Sequence, residues 1–133
     1  MTRAISTKQK SFVLLIEDDI FLAGIYQTKF ELEGFRIAIA RDGEEGLRLA
    51  AKDPPDVILL DILLPKLDGF EVLTRLKEHE KTKHVPVVML TNLGQKEDVE
   101  RAMRGGAIDY LIKAHFVPSE TVAKVKKILT RKK

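Results

Sequence analysis

Phe12-Val-Leu-Leu-Ile-Glu-Asp-Asp19 runs five apolar residues straight into three acids. A short, unbroken apolar run fits a strand buried on both faces, as strands are in a parallel sheet. The acids then fall at its carboxyl end. Val57-Ile-Leu-Leu60 repeats the pattern and also ends on an acid, Asp61. Between the two runs the apolar period changes. From Asp19 to Glu33, Leu22, Ile25, Tyr26 and Phe30 recur at helical spacing, and Gly34 is a helix stop. Asp19 reads as the residue that starts this helix.

The same alternation continues to the end of the chain. Phe35–Ala40 reads as a strand and Gly43–Lys52 as a helix that Asp53-Pro-Pro55 must break. Asp68-Gly-Phe-Glu71 has the spacing of a capping box and should open a helix to about His79. Val85–Leu90 reads as the fourth strand, with Pro86 near its start. Gln95–Arg104 reads as a helix closed by Gly105-Gly106, and Ile108–Ile112 as the fifth strand. Pro118–Thr130 is the last helix, with Val122, Val125 and Leu129 toward the core. Five strands alternating with five helices, joined by right-handed crossovers, predict an α/β fold of the flavodoxin-like, doubly wound type. Its five-stranded parallel sheet has the order 2-1-3-4-5 and helices on both faces.

A chain of 133 residues suffices for one domain, here residues 11–133 after a basic tail over 1–10. It contains no cysteine, which excludes disulfides and thiolate chemistry. No apolar run reaches membrane-spanning length, and the polar N-terminus lacks a signal-peptide core, so a cytoplasmic protein is expected. The net charge of +3 hides an asymmetry. Nine of the 23 basic residues lie in 1–10 and 121–133 and none of the 20 acids does, leaving residues 11–120 at −6. The basic C-terminal stretch reads as a solvated helix end. It has no interleaved aromatic residues, so no direct nucleic-acid binding is expected.

In such a sheet, ligands bind beyond the carboxyl ends of the strands, near the switch in strand order. There this sequence places Glu17-Asp18-Asp19, Asp61, Thr91 and Lys113. Alone, the acid run would suit a helix N-terminus, Thr91 a helix cap and Lys113 a solvated strand end. Together, convergent carboxylates repel unless a hard cation answers them. Mg²⁺, or Mn²⁺, takes oxygen ligands and leaves positions for phosphate. The expected chemistry is transfer of a phosphoryl group to the Asp61 carboxylate. Asp18 and Asp61 would hold the metal, Glu17 would hold it through water, and the Leu63 backbone carbonyl would be a further ligand. Lys113 would pair with Asp61 and then with the phosphate, to which Thr91 would donate. His79, His84 and His115 are scattered and lack metal-ligand spacing.

At five segments the chain resembles the CheY-like receiver domains of two-component response regulators. These are Val13-Leu-Leu-Ile-Glu-Asp-Asp19, Pro55-Asp-Val-Ile-Leu-Leu-Asp61, Leu64-Pro-Lys-Leu-Asp-Gly-Phe70, Val85-Pro-Val-Val-Met-Leu-Thr91 and Gly106-Ala-Ile-Asp-Tyr-Leu-Ile-Lys113. The resemblance covers about residues 12–131. It implies that the phosphoryl group comes from a phosphohistidine on a sensor histidine kinase or a histidine phosphotransfer protein. It implies that Thr91 and Tyr110 rearrange together on phosphorylation and remodel the face of helix 4, strand 5 and helix 5 for a downstream protein. It also implies that Asn92 and Leu63 tune phosphate lifetime. The sequence departs from the family at Lys113-Ala114, where most receivers have a proline after the lysine, in a cis peptide. A cis bond without proline costs roughly 3 kcal/mol, so a trans bond is expected here.

Two other classes compete. One is a receiver-fold scaffold that binds proteins without phosphorylation; the intact acids, Asp61, Thr91 and Lys113 argue against it. The other is a haloacid-dehalogenase-like phosphatase, which would carry a second acid where Leu63 stands. A dinucleotide site is disfavoured because the first strand ends in acids rather than glycines. No helix-turn-helix or effector sequence lies within residues 1–133, so output through a protein partner is expected.

Overall fold

The computed structural model describes residues 10–92, 95–113 and 117–131, the last without its side chain. The expectations for His115, the Lys113-Ala114 bond and the terminal basic side chains of Arg3, Lys8, Arg131, Lys132 and Lys133 lie outside the described residues. The elements in chain order are β1 (Phe12–Ile16), α1 (Ile20–Leu32), β2 (Arg36–Ala40), α2 (Gly43–Lys52), β3 (Val57–Asp61), α3 (Gly69–Glu78), β4 (Val87–Thr91), α4 (Lys96–Arg104), β5 (Asp109–Ile112) and α5 (Pro118–Arg131). The strands form one sheet in the order β2-β1-β3-β4-β5, and every pairing is parallel. This is the flavodoxin-like order 2-1-3-4-5.

Strand periodicity divides the core into two layers. Leu14, Ile16, Ile58, Leu60, Val87 and Met89 face Ala50 of α2, Val72, Leu73 and Leu76 of α3, and Ala102 of α4. Val13, Leu15, Val57, Leu59, Val88 and Leu90 face the other way, onto Ala23, Tyr26 and Phe30 of α1 and Val122, Val125 and Ile128 of α5. In α5, Ile128 is buried and Leu129 only flanks the cluster, a shift of one residue from the expected stripe. Among the described residues, no helix is long and apolar enough to cross a membrane.

Local chemistry explains the element ends. Asp19 caps α1 by accepting from Leu22 N–H at 3.1 Å, and Asp68 caps α3 by accepting from Glu71 N–H at 2.9 Å. The capping box at α3 is only half formed, because the Glu71 carboxylate turns to Arg75 at 2.9 Å. β4 starts at Val87, later than expected, since Pro86 has no N–H to give to a ladder. Two lysines expected to be solvated at the end of the chain instead make ion pairs. Lys124 meets Asp109 at 2.8 Å and Lys126 meets Glu33 at 2.9 Å, tying α5 to β5 and to the residue that ends α1.

Two stability effects follow. Asp68→Ala removes the α3 cap and should cost about 1 kcal/mol, measured by urea unfolding. Gly24 lies inside α1, where an added Cβ would meet nothing within 4 Å. Gly24→Ala should therefore stabilise the protein by about 0.5–1 kcal/mol through helix propensity, and a lower unfolding midpoint would show a contact there instead.

Candidate functional site

The sheet register builds the site. Ile16 pairs with Leu60, so the next residues, Glu17 and Asp61, emerge side by side at the carboxyl ends of β1 and β3. Asp61 pairs with Leu90, which puts Thr91 one step beyond it on β4. Thr91 in turn pairs with Ile112, the residue before Lys113. Four strand ends thus deliver their polar residues to one edge of the sheet.

The side chains converge as the sequence predicts. Carboxylate oxygens of Glu17, Asp18 and Asp61 all lie within 4.8 Å of one another. Glu17 and Asp61 are buried, whereas Asp18 is exposed at the mouth. The Lys113 Nζ reaches across from the end of β5 to sit 2.8 Å from Asp61 Oδ2 and 2.7 Å from Glu17 Oε1. The first contact is a hydrogen bond and the second a close ion pair, so one ammonium answers a buried oxygen on each of the two carboxylates. Asp61 Oδ1 accepts from Leu63 N–H at 3.2 Å, and Glu17 Oε2 accepts from Asp19 N–H at 3.1 Å.

Burial dominates the electrostatics. It pushes the Glu17 carboxyl up to about 7, with the Asp61 charge adding to the rise and Lys113 and the Asp19 N–H opposing it. Burial alone would lower Lys113, but its bonds to Asp61 and Glu17 outweigh that and raise it. Three carboxylates against one ammonium leave excess negative charge in a largely buried patch. An all-oxygen donor set with its carboxylates within 4.8 Å of one another and an exposed Asp18 at the entrance suit a hard divalent cation.

A cleft of about 170 Å³ opens beside the acceptor, lined by Asp61, Ile62, Leu63, Thr91, Asn92, Gln95 and Asp98. Of these, Leu63 is exposed and Thr91 is buried. Tyr110 lies on β5, partly exposed and outside this lining. His79 and His84 are exposed and away from the acids. Two features were not read from the sequence. One is the Glu17–Lys113 pair. The other is the pair Gln95 and Asp98, whose i,i+3 spacing puts them on one face at the start of α4 but does not by itself mark a site.

The profile of the response regulator receiver domain matches residues 13–126. The DNA-binding dual master transcriptional regulator RpaA of Synechocystis is 41% identical over 119 residues, which cover 90% of this chain and 49% of that protein. The chain spans about half the length of this relative. The receiver domain of the Francisella response regulator 1452 superposes with a TM-score of 0.86 at 33% identity, covering 93% of this chain and 100% of that one. The receiver domain of a sensor histidine kinase from Pseudomonas aeruginosa was solved with a magnesium ion coordinated in its active-site cleft. It superposes with a TM-score of 0.78 at 30% identity, covering 92% of this chain and 96% of that one.

Proposed function

The chain belongs to the response regulator receiver domain family, and from that premise we propose that it is a phosphoryl-accepting switch in two-component or phosphorelay signalling, with Asp61 as acceptor. The observation that carries this reading is the Lys113 ammonium held 2.8 Å from Asp61 Oδ2 inside a cluster of three carboxylates.

A partner phosphohistidine supplies the phosphoryl group. An oxygen of the Asp61 carboxylate bonds to phosphorus as the phosphorus–nitrogen bond breaks, and that electron pair returns to the imidazole. Lys113 pairs with the arriving phosphoryl oxygens, and the Thr91 hydroxyl donates to one of them. Asp18 and Asp61 would hold Mg²⁺, with Glu17 acting through water and the Leu63 carbonyl as a further ligand. When bound, the ion neutralises charge on the transferring oxygens. A protein donor suits the surroundings. The exposed side chains of Ile20, Phe21 and Leu32 form an apolar face on α1 that begins two residues after Asp18. Phosphorylation would then bias a two-state equilibrium in which Thr91 and Tyr110 move together and reshape the α4–β5–α5 face for a downstream protein.

The test is incubation with phosphoramidate. In Mg²⁺ the chain should gain one phosphoryl group by intact mass, labile to neutral hydroxylamine; in excess EDTA it should gain none. Uptake that ignores EDTA, or no uptake in Mg²⁺, would reject the reading. Asp18→Asn should weaken Mg²⁺ binding at least about tenfold in calorimetry, since a ligand and its charge are both lost. Asp18 is exposed, so the melting temperature should stay near that of the wild type.

A further inference from the structure

The cleft beside Asp61 has two unlike walls. On one side stand Asp61, Ile62 and Leu63, and Asp61 is already engaged with Lys113, which lies outside the cleft. On the α4 side Asn92, Gln95 and Asp98 line the space, and among the described residues their side chains make no hydrogen bond or ion pair. Gln95 sits at the N-cap of α4 without a capping bond from its side chain. Asp98, one turn further along the same face, is half-buried and has no basic partner among the described residues. Three unengaged polar side chains thus flank the aspartate that accepts the phosphoryl group, two of them on α4. A water claims about 30 Å³, so the cleft has room for the phosphoryl group together with water.

We propose that Gln95 and Asp98 hold the water that hydrolyses the aspartyl phosphate, so that this edge of α4 sets how long the phosphorylated state lasts. The inference rests on the phosphoacceptor reading of Asp61. The Gln95 side-chain carbonyl accepts one hydrogen bond from the water, and the Asp98 carboxylate accepts the other. The water oxygen bonds to phosphorus, the bond from phosphorus to the Asp61 oxygen breaks, and its electron pair returns to the Asp61 carboxylate. The water's proton passes to Asp98 and on to solvent. A glutamine that orients an attacking water also serves phosphoryl transfer in GTPases. An acid in the first turn of α4 also suits the helix dipole, but that role would show in stability and not in hydrolysis.

The experiment separates uptake from loss. Wild type, Gln95→Ala, Asp98→Asn and Asp98→Glu are phosphorylated with phosphoramidate in Mg²⁺, the donor is removed, and decay is followed by intact mass. Gln95→Ala and Asp98→Asn should each lengthen the half-life about tenfold, well beyond any change in initial uptake. Asp98→Glu should restore much of the hydrolysis. Half-lives equal to wild type would overturn the proposal, and so would uptake and decay slowing in parallel, which would mark a distorted acceptor. A wild-type chain that takes up no phosphoryl group would overturn the phosphoacceptor reading itself, and this inference with it.

Discussion

Asp61→Asn should leave the chain folded and abolish its uptake of a phosphoryl group. The amide has nearly the shape of the carboxylate but no anionic oxygen to attack phosphorus. Its carbonyl can still accept from Leu63 N–H, so the turn after β3 keeps its bond. Lys113 keeps Glu17 at 2.7 Å as a counter-charge. One negative charge leaves a patch where three carboxylates crowd within 4.8 Å, so repulsion falls. The melting temperature should therefore equal or exceed that of the wild type while the mass gain with phosphoramidate disappears. Persistent uptake would point to another nucleophile.

Gly69→Ala should have the largest effect on stability. Gly69 opens α3 directly beneath the acceptor loop, where its N–H donates to the Ile62 carbonyl at 2.7 Å. A Cβ there would overlap the Asp61 carbonyl oxygen and lie 2.7 Å from the Ile62 Cα. Both obstacles are backbone, which cannot rotate away as a side-chain tip can. The expected cost is about 3 kcal/mol. That corresponds to a melting temperature lower by about 10 °C. The sign is diagnostic, because the same substitution at Gly24, where space is open, should stabilise. Uptake should slow as well, since the collision is with the residue that carries the acceptor. A Gly69→Ala protein as stable as wild type would show that the loop has slack.

The fold was legible because period and punctuation agreed along the chain. Phe12–Ile16 and Val57–Leu60 are unbroken apolar runs, and in the structure both are buried on both faces. The acid cluster was legible because parallel strands put their carboxyl ends on one edge, whatever the details of packing. Other features depend on side-chain reach, which spacing does not encode. Glu71 has the spacing of a reciprocal cap, yet Arg75 four residues on takes its carboxylate. Lys113 was expected at Asp61, but its stem also spans to Glu17, a contact set by how β1 and β5 flank the central strands. Lys66, at φ 71°, takes a left-handed conformation beside the acids at the start of α2, with the capping Asp42 at 3.5 Å and Glu44 at 3.9 Å. Nothing in Leu64-Pro-Lys-Leu67 announces that, since lysine has no preference for such a backbone. Gln95 and Asp98 read as ordinary residues at a helix start until the cleft is seen.

The most direct check is to locate the phosphoryl group chemically. Borohydride reduces an acyl phosphate to the alcohol, which marks the acceptor permanently for peptide mapping. After treatment with phosphoramidate and Mg²⁺, the mark should fall on Asp61 and vanish when EDTA is present. A mark on Asp18, Glu17 or any other residue would contradict the account.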